Sequence, residues 1–225
     1  MSKSFNVAQR TLYDIRDNNS YTVRKLADGN CWMTTNLNLS LSTNTPIIGS
    51  KNDGSAFTYT PTSCGGTNGS CAMNGNTMAG SGMWYYSWYA ATAGEGKTTD
   101  VNVDVDGSIC PVGWRLPPNY SAQVNKSFGG LTNSYGVTSD GENGNSSNVM
   151  VSYPINITRD KCRYNGGNPD YGVHGYYQSS TAAESSDSSY VFVQFDPTGN
   201  NGNNKVYPQG VDPKGYAFNI RCVAL

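Results

Sequence analysis

Along residues 11–40, apolar and polar positions alternate in short runs separated by turn-forming residues. Tyr21, Val23 and Lys25 alternate with Thr22, Arg24 and Leu26, which is the two-residue period of a strand. Asp17-Asn18-Asn19 before this run and Ala27-Asp28-Gly29-Asn30 after it have turn chemistry. Cys31-Trp32-Met33 resumes an apolar stretch, so the segment reads as strands joined by tight turns. Residues 41–82 are rich in Thr, Asn, Gly and Ser and are expected to be mostly loop.

The most aromatic run is Met83-Trp84-Tyr85-Tyr86-Ser87-Trp88-Tyr89-Ala90-Ala91. Trp84 and Trp88, like Tyr85 and Tyr89, are four apart, so a short helix would set each pair on one face. A run this oily is expected in the core, with Trp32, Trp84, Trp88 and Trp114 largely buried. Residues 120–128 predict a second short helix, stopped by Gly129-Gly130. A polar excursion occupies 131–170, and 190–195 and 216–223 are β-rich, with a Gly/Asn turn at 196–205 between them. No repeat or linker interrupts the 225 residues, so a single domain is expected, mostly β with two short helices and long loops.

Composition narrows the function. Charged residues make up 14% of the chain, against about 25% in ordinary soluble proteins. The net charge of -1 excludes the electrostatic footprint of general nucleic-acid or anionic-membrane binding. Scarce Ala, Leu, Glu and Lys exclude a coiled coil or helical bundle. An aromatic content of 12% and six cysteines argue against disorder. Abundant Tyr, Ser, Gly and Asn suit a paratope-like surface as well as solvated loops. No apolar run approaches the ~20 residues of a membrane span, and residues 1–6 form no signal-peptide core. An even cysteine number fits an oxidising compartment. The chain is therefore expected to be an extracellular or cell-surface segment whose leader or anchor lies outside it.

Candidate chemistry is sparse. His174 is the single histidine; Asp170 lies four residues upstream, but a Ser-rich chain produces such coincidences without a triad. The segment from Asp100 to Gly107 superficially resembles a calcium loop. Counted from Asp100, its glycine falls two places late and Pro111 stands where the bidentate Glu belongs. Its alternating valines suit a surface strand equally well. Glu95, Glu142 and Glu184 are the glutamates available for glycoside hydrolysis, all in loop-like sequence. No phosphate-binding loop, dinucleotide fingerprint or Cys-x-x-Cys pair occurs, so no cofactor is expected, with calcium the one ion left room for. The cysteines read as staples. Cys64–Cys71 is the most local pair, Cys110–Cys222 would tie mid-domain to the last strand, and Cys31–Cys162 is left by elimination.

Several ordered motifs resemble the Fibrobacter succinogenes major paralogous (FISUMP) domain of exported bacterial proteins. They are Asp14-Ile15-Arg16-Asp17 with Tyr21-Thr22-Val23, Cys31-Trp32-Met33-Thr34-Thr35-Asn36-Leu37, and Trp84-Tyr85-Tyr86-Ser87-Trp88. Cys110-Pro111-Val112-Gly113-Trp114-Arg115-Leu116-Pro117, Gly175-Tyr176-Tyr177-Gln178-Ser179-Ser180-Thr181 and Ile220-Arg221-Cys222-Val223 complete the set. The match spans about 11–225, the loops aside, and makes 1–10 an N-terminal extension. Trp114-Arg115-Leu116-Pro117 and Arg221-Cys222-Val223 are also similar to the formylglycine-generating branch of the C-type lectin-like fold. The resemblance implies an α+β, C-type lectin-like fold with its chain ends together and a loop-rich ligand face. It does not imply formylglycine-generating activity, which needs a reactive cysteine pair. Some members of the fold are variable proteins of diversity-generating retroelements, recoded just before a fixed final strand. Residues 171–216 have that look here. Gln178 stands where the family usually has tryptophan, and Ala217 where it has glycine.

The expectation is a non-enzymatic, monomeric, surface-displayed receptor or adhesin domain for a protein or glycan, without membrane insertion. Its ligand face would comprise Tyr171, His174, Tyr177, Gln178, Asp187, Tyr190, Gln194, Tyr207, Gln209, Asp212, Lys214 and Tyr216, because tyrosines give contact area at low entropy cost and amides and carboxylates give direction. The rivals are an enzyme on the same fold, carbohydrate-active or formylglycine-generating-like, and a structural cell-wall adhesion module.

Overall fold

The first three strands are a meander set by its turns. β1 (Arg10–Asp14), β2 (Asn19–Lys25) and β3 (Cys31–Met33) pair antiparallel, with Leu12 opposite Tyr21 and Val23 opposite Met33. Asn18 adopts φ 62°, a left-handed conformation that asparagine tolerates, and Asp17 Oδ1 accepts from the Asn19 amide at 3.0 Å. Gly29 has φ 81° in the second turn, while the Asp28 carboxylate accepts from the Asn30 amide and from Trp32 Nε1. This computed structural model describes residues 8–62, 72–74, 83–119, 125–137, 142–143, 150, 154–157, 175–183, 190–196 and 205–225.

The expected loop at 41–82 contains a hairpin, β4 (Ile47–Ser50) and β5 (Ala56–Tyr59), and β6 (Ala72–Asn74). Its β-branched and aromatic residues outweigh the polar composition, and Gly54, at φ 85°, closes the hairpin turn.

The aromatic run is split rather than helical throughout. Trp84–Tyr86 is β7, paired with β6, and Ser87 caps α1 (Trp88–Ala91) by accepting from the Ala90 amide. Tyr85, Tyr86 and Trp88 have no exposed surface, as expected of core. Trp32 is buried too, whereas Trp84 and Trp114 are half-buried at the margin of the first core cluster.

β8 (Val103–Asp104) and β9 (Trp114–Arg115) precede α2 (Phe128–Ser134). α2 begins where the second helix was expected to end, and passes through Gly129-Gly130. Ser127 caps it, accepting from the Gly130 amide at 2.9 Å, and Phe128 packs 5.6 Å from Trp32 between ring centroids. That cap and burial offset the ~1 kcal/mol that each helical glycine costs.

The remaining strands are β10 (Glu142–Asn143), β11 (Gly175–Gln178), β12 (Thr181–Ala182), β13 (Tyr190–Asp196), β14 (Lys205–Asp212) and β15 (Val223–Ala224). One sheet has the order β1-β2-β3-β15-β9, so the last strand lies between the third and ninth. A second has the order β10-β14-β13-β11, and β8 pairs with β12. The register of β13 against β14 shifts between Phe192 and Gln194, where β14 carries Pro208, which has no amide hydrogen for the ladder.

Cys110 and Cys222 form a disulfide spanning 112 residues, tying β15 to mid-chain as expected. The expected Cys31–Cys162 pair cannot be followed to its second member. Cys31 is an exposed free thiol at the first position of β3, and Cys162 lies outside the described residues with Cys64 and Cys71. Among the described residues no helix is long and apolar enough to cross a membrane. The architecture is α+β and β-rich, with two short helices.

Candidate functional site

β13 and β14 carry five of the expected ligand residues. Tyr190 lies opposite Asp212 and Gln194 opposite Tyr207, with Gln209 in the irregular stretch between. Asp212 is half-buried, and desolvation pushes its carboxyl up to about 6. Tyr216 is half-buried against the cluster of Trp88, Tyr176 and Phe218. Tyr171, His174 and Asp187 lie outside the described residues.

Three expected ligand residues are interior instead. Tyr177 has no exposed surface and packs with Trp32, Phe128 and Val206, the Arg221 guanidinium 5.4 Å above its ring. Gln178 is equally buried: its backbone amide donates to Asn219 O, and neither side-chain amide atom has a hydrogen-bond partner among the described residues. Lys214 is fully buried with its Nζ donating to three backbone carbonyls. The strand at Gly175–Gln178 is covered on both faces, which is why polar side-chain type misled the reading there.

The acidic segment at 100–107 includes the exposed β8, the surface-strand alternative. Its carboxylates serve separate partners: Asp100 accepts from the Lys97 amide, Asp104 from Thr181 Oγ1 and Asp106 from the Asn52 amide. Glu95 pairs with Lys51 at 2.5 Å. Asp170 and Glu184 lie outside the described residues.

The sequence reading missed a polar trough along β2. Two abutting cavities of about 300 and 270 Å³ share Thr34, Thr35 and Asn156 in their walls. Asn19, Ser20, Asn36, Asn38 and Arg221 line the first, and Gln9, Thr22, Arg24 and Pro154 the second. The wall is built from distant parts of the chain. Asn36 Nδ2 donates to Asn219 Oδ1 at 2.9 Å, and Asn36 Oδ1 accepts from Arg221 Nε. Arg221 sends Nη1 to Met33 O and Ile155 O, and Nη2 to Asn156 O at 2.8 Å. Asn156, at φ 51°, holds the left-handed conformation at the rim. Tyr21 forms the floor, its phenol pushed up to about 12 by burial and therefore neutral. Alternation on β2 was the available signal, since Ser20, Thr22 and Arg24 fall on one face.

Comparison with known proteins finds no matching family model, curated protein or solved structure.

Proposed function

We propose that this chain is a ligand-binding domain displayed outside the cell, with a C-type lectin-like fold of the FISUMP kind. Its ligand residues are carried on β13 and β14. The observation that supports this most is the contrast between the β13–β14 ladder and the C-terminal segment. Ala217, Phe218, Asn219, Ile220, Arg221, Cys222 and Val223 are all at most 2% exposed, and the ladder before them carries Tyr190, Gln194, Tyr207 and Asp212 in paired register, with Gln209 in its irregular stretch. Backbone hydrogen bonds hold that ladder whatever the side chains, and the buried terminal segment and its disulfide hold the frame. Such a division suits residue-by-residue diversification by a retroelement.

The test is a displayed library randomised at Tyr190, Gln194, Tyr207, Gln209 and Asp212. Clones selected on unrelated protein baits should keep the parent's Tm to within about 4 °C, the shift of a ~1 kcal/mol change in a domain of this size. In each clone a few anchors should carry over ~2 kcal/mol each. A library dominated by unfolded clones would assign these positions to the frame and sink the reading.

A further inference from the structure

The trough along β2 lies apart from the β13–β14 ladder, and its chemistry points to a ligand of its own. The polar groups lining it, among the described residues, are side-chain amides and hydroxyls with two arginines, and Met83, Pro154 and the Tyr21 ring add apolar surface; no carboxylate and no lysine takes part. Amides and hydroxyls both donate and accept, which matches the mixed hydrogen bonding of sugar hydroxyls.

Part of the lining is held in place before any ligand arrives. Asn38 Oδ1 accepts from the Trp84 amide at 2.9 Å, and the Asn38 carbonyl accepts from Asn19 Nδ2 at 3.0 Å. Thr35 Oγ1 accepts from the Thr22 amide at 3.0 Å, leaving its own hydroxyl proton to donate. Asn38 Nδ2 and the exposed Ser20 hydroxyl remain uncommitted among the described residues. Binding to groups already oriented loses little rotamer entropy.

Size and surroundings narrow the occupant. A cavity of about 300 Å³ is at the small end of ligand sites, and a second of about 270 Å³ continues from it. Two compartments with a shared polar wall suit two successive rings of a chain molecule. An anion fits less well, because Arg221 directs its Nε, Nη1 and Nη2 at Asn36, Met33, Ile155 and Asn156, and Arg24 Nη2 donates to Gln9 Oε1. An added peptide strand fits less well too, because β2 is already paired on both sides, by β1 and β3.

We infer that the trough is a binding site for a neutral oligosaccharide, with one sugar ring in each compartment and Ser20, Thr35, Asn38 and Asn156 bonding its hydroxyls.

The test is NMR titration of the ¹⁵N-labelled chain with neutral disaccharides and trisaccharides of glucose, galactose, mannose, xylose and N-acetylglucosamine. Their monosaccharides, inorganic phosphate and a soluble peptide serve as controls. At least one oligosaccharide should shift Ser20, Thr35 and the Asn38 side-chain amide saturably, and bind about tenfold or more tighter than its monosaccharide. Ser20→Ala should weaken that binding about three- to tenfold with an unchanged Tm, the worth of one hydrogen bond. Ser20→Trp should abolish it by filling the first compartment. The proposal is overturned if no oligosaccharide shifts these signals, if shifts fall on β13 and β14 instead, or if phosphate or peptide titrates the trough more tightly.

Discussion

The ammonium of Lys214 sits 4.9 Å from the ring centroid of Trp88 and hydrogen-bonds to the carbonyls of Lys97, Thr98 and Asp100 at 3.0, 3.1 and 3.0 Å. Three donors meet three acceptors under an aromatic face, so a fully buried cation is tolerated. The Trp88 amide also donates to Lys214 O, which locks the end of β14 to the start of α1.

Lys214→Met is therefore expected to cost about 2–3 kcal/mol, because it removes three part-buried hydrogen bonds at once. Lys214→Arg should recover little, since a planar fork cannot reproduce the three-carbonyl geometry. Urea unfolding measures both; a loss under about 1 kcal/mol would mean the carbonyls simply turn to water.

Alkylation of the native protein without reduction should label Cys31 and spare Cys110 and Cys222. Replacing the latter pair together by Ala should cost about 4–5 kcal/mol in the chain-entropy model, given a loop of 112 residues. Labelling of native Cys222 would contradict the staple and revive the enzyme reading.

Gln178 buries an amide with no hydrogen-bond partner among the described residues, a standing desolvation cost. Gln178→Met keeps the length and removes that cost, and should stabilise the fold by about 1–2 kcal/mol. Destabilisation of similar size would show that the amide finds a partner in solution.

Asp212 supplies a pH signature. Its folded pKa of about 6 lies above the unfolded value near ~3.9, so the folded state holds this proton more tightly. The stability it contributes is complete below about pH 4 and is lost as pH rises through about 6. Asp212→Asn should flatten that part of the profile and exceed the parent by about 1 kcal/mol near pH 8, after discounting for solvent screening. Denaturation midpoints across that window decide it; parallel profiles for the two proteins would refute it.

Local chemistry determined much of this protein. Asp17-Asn18-Asn19 and Asp28-Gly29-Asn30 make their turns from their own side chains and backbone, so the meander was legible. The aromatic run was legible as core because burial follows from apolar surface. Its helical period was misleading: Ser87, a capping residue, begins the helix only at Trp88.

Tertiary structure alone decided which polar residues face water. Tyr177, Gln178 and Lys214 are the same residue types as a solvated ligand face, and they are core because β11 is covered on both faces and Lys214 is enclosed beneath Trp88. Alternation gave one wall of the trough, Ser20, Thr22 and Arg24 on one face of β2, but the rest was out of reach for a related reason. Asn36 meets Asn219 across 183 residues, and Arg221 meets Asn156 across 65. Turns and caps depend on neighbours in the chain. Hydrogen bonds across such separations depend on how the strands pack, and no local pattern of polar residues encodes that.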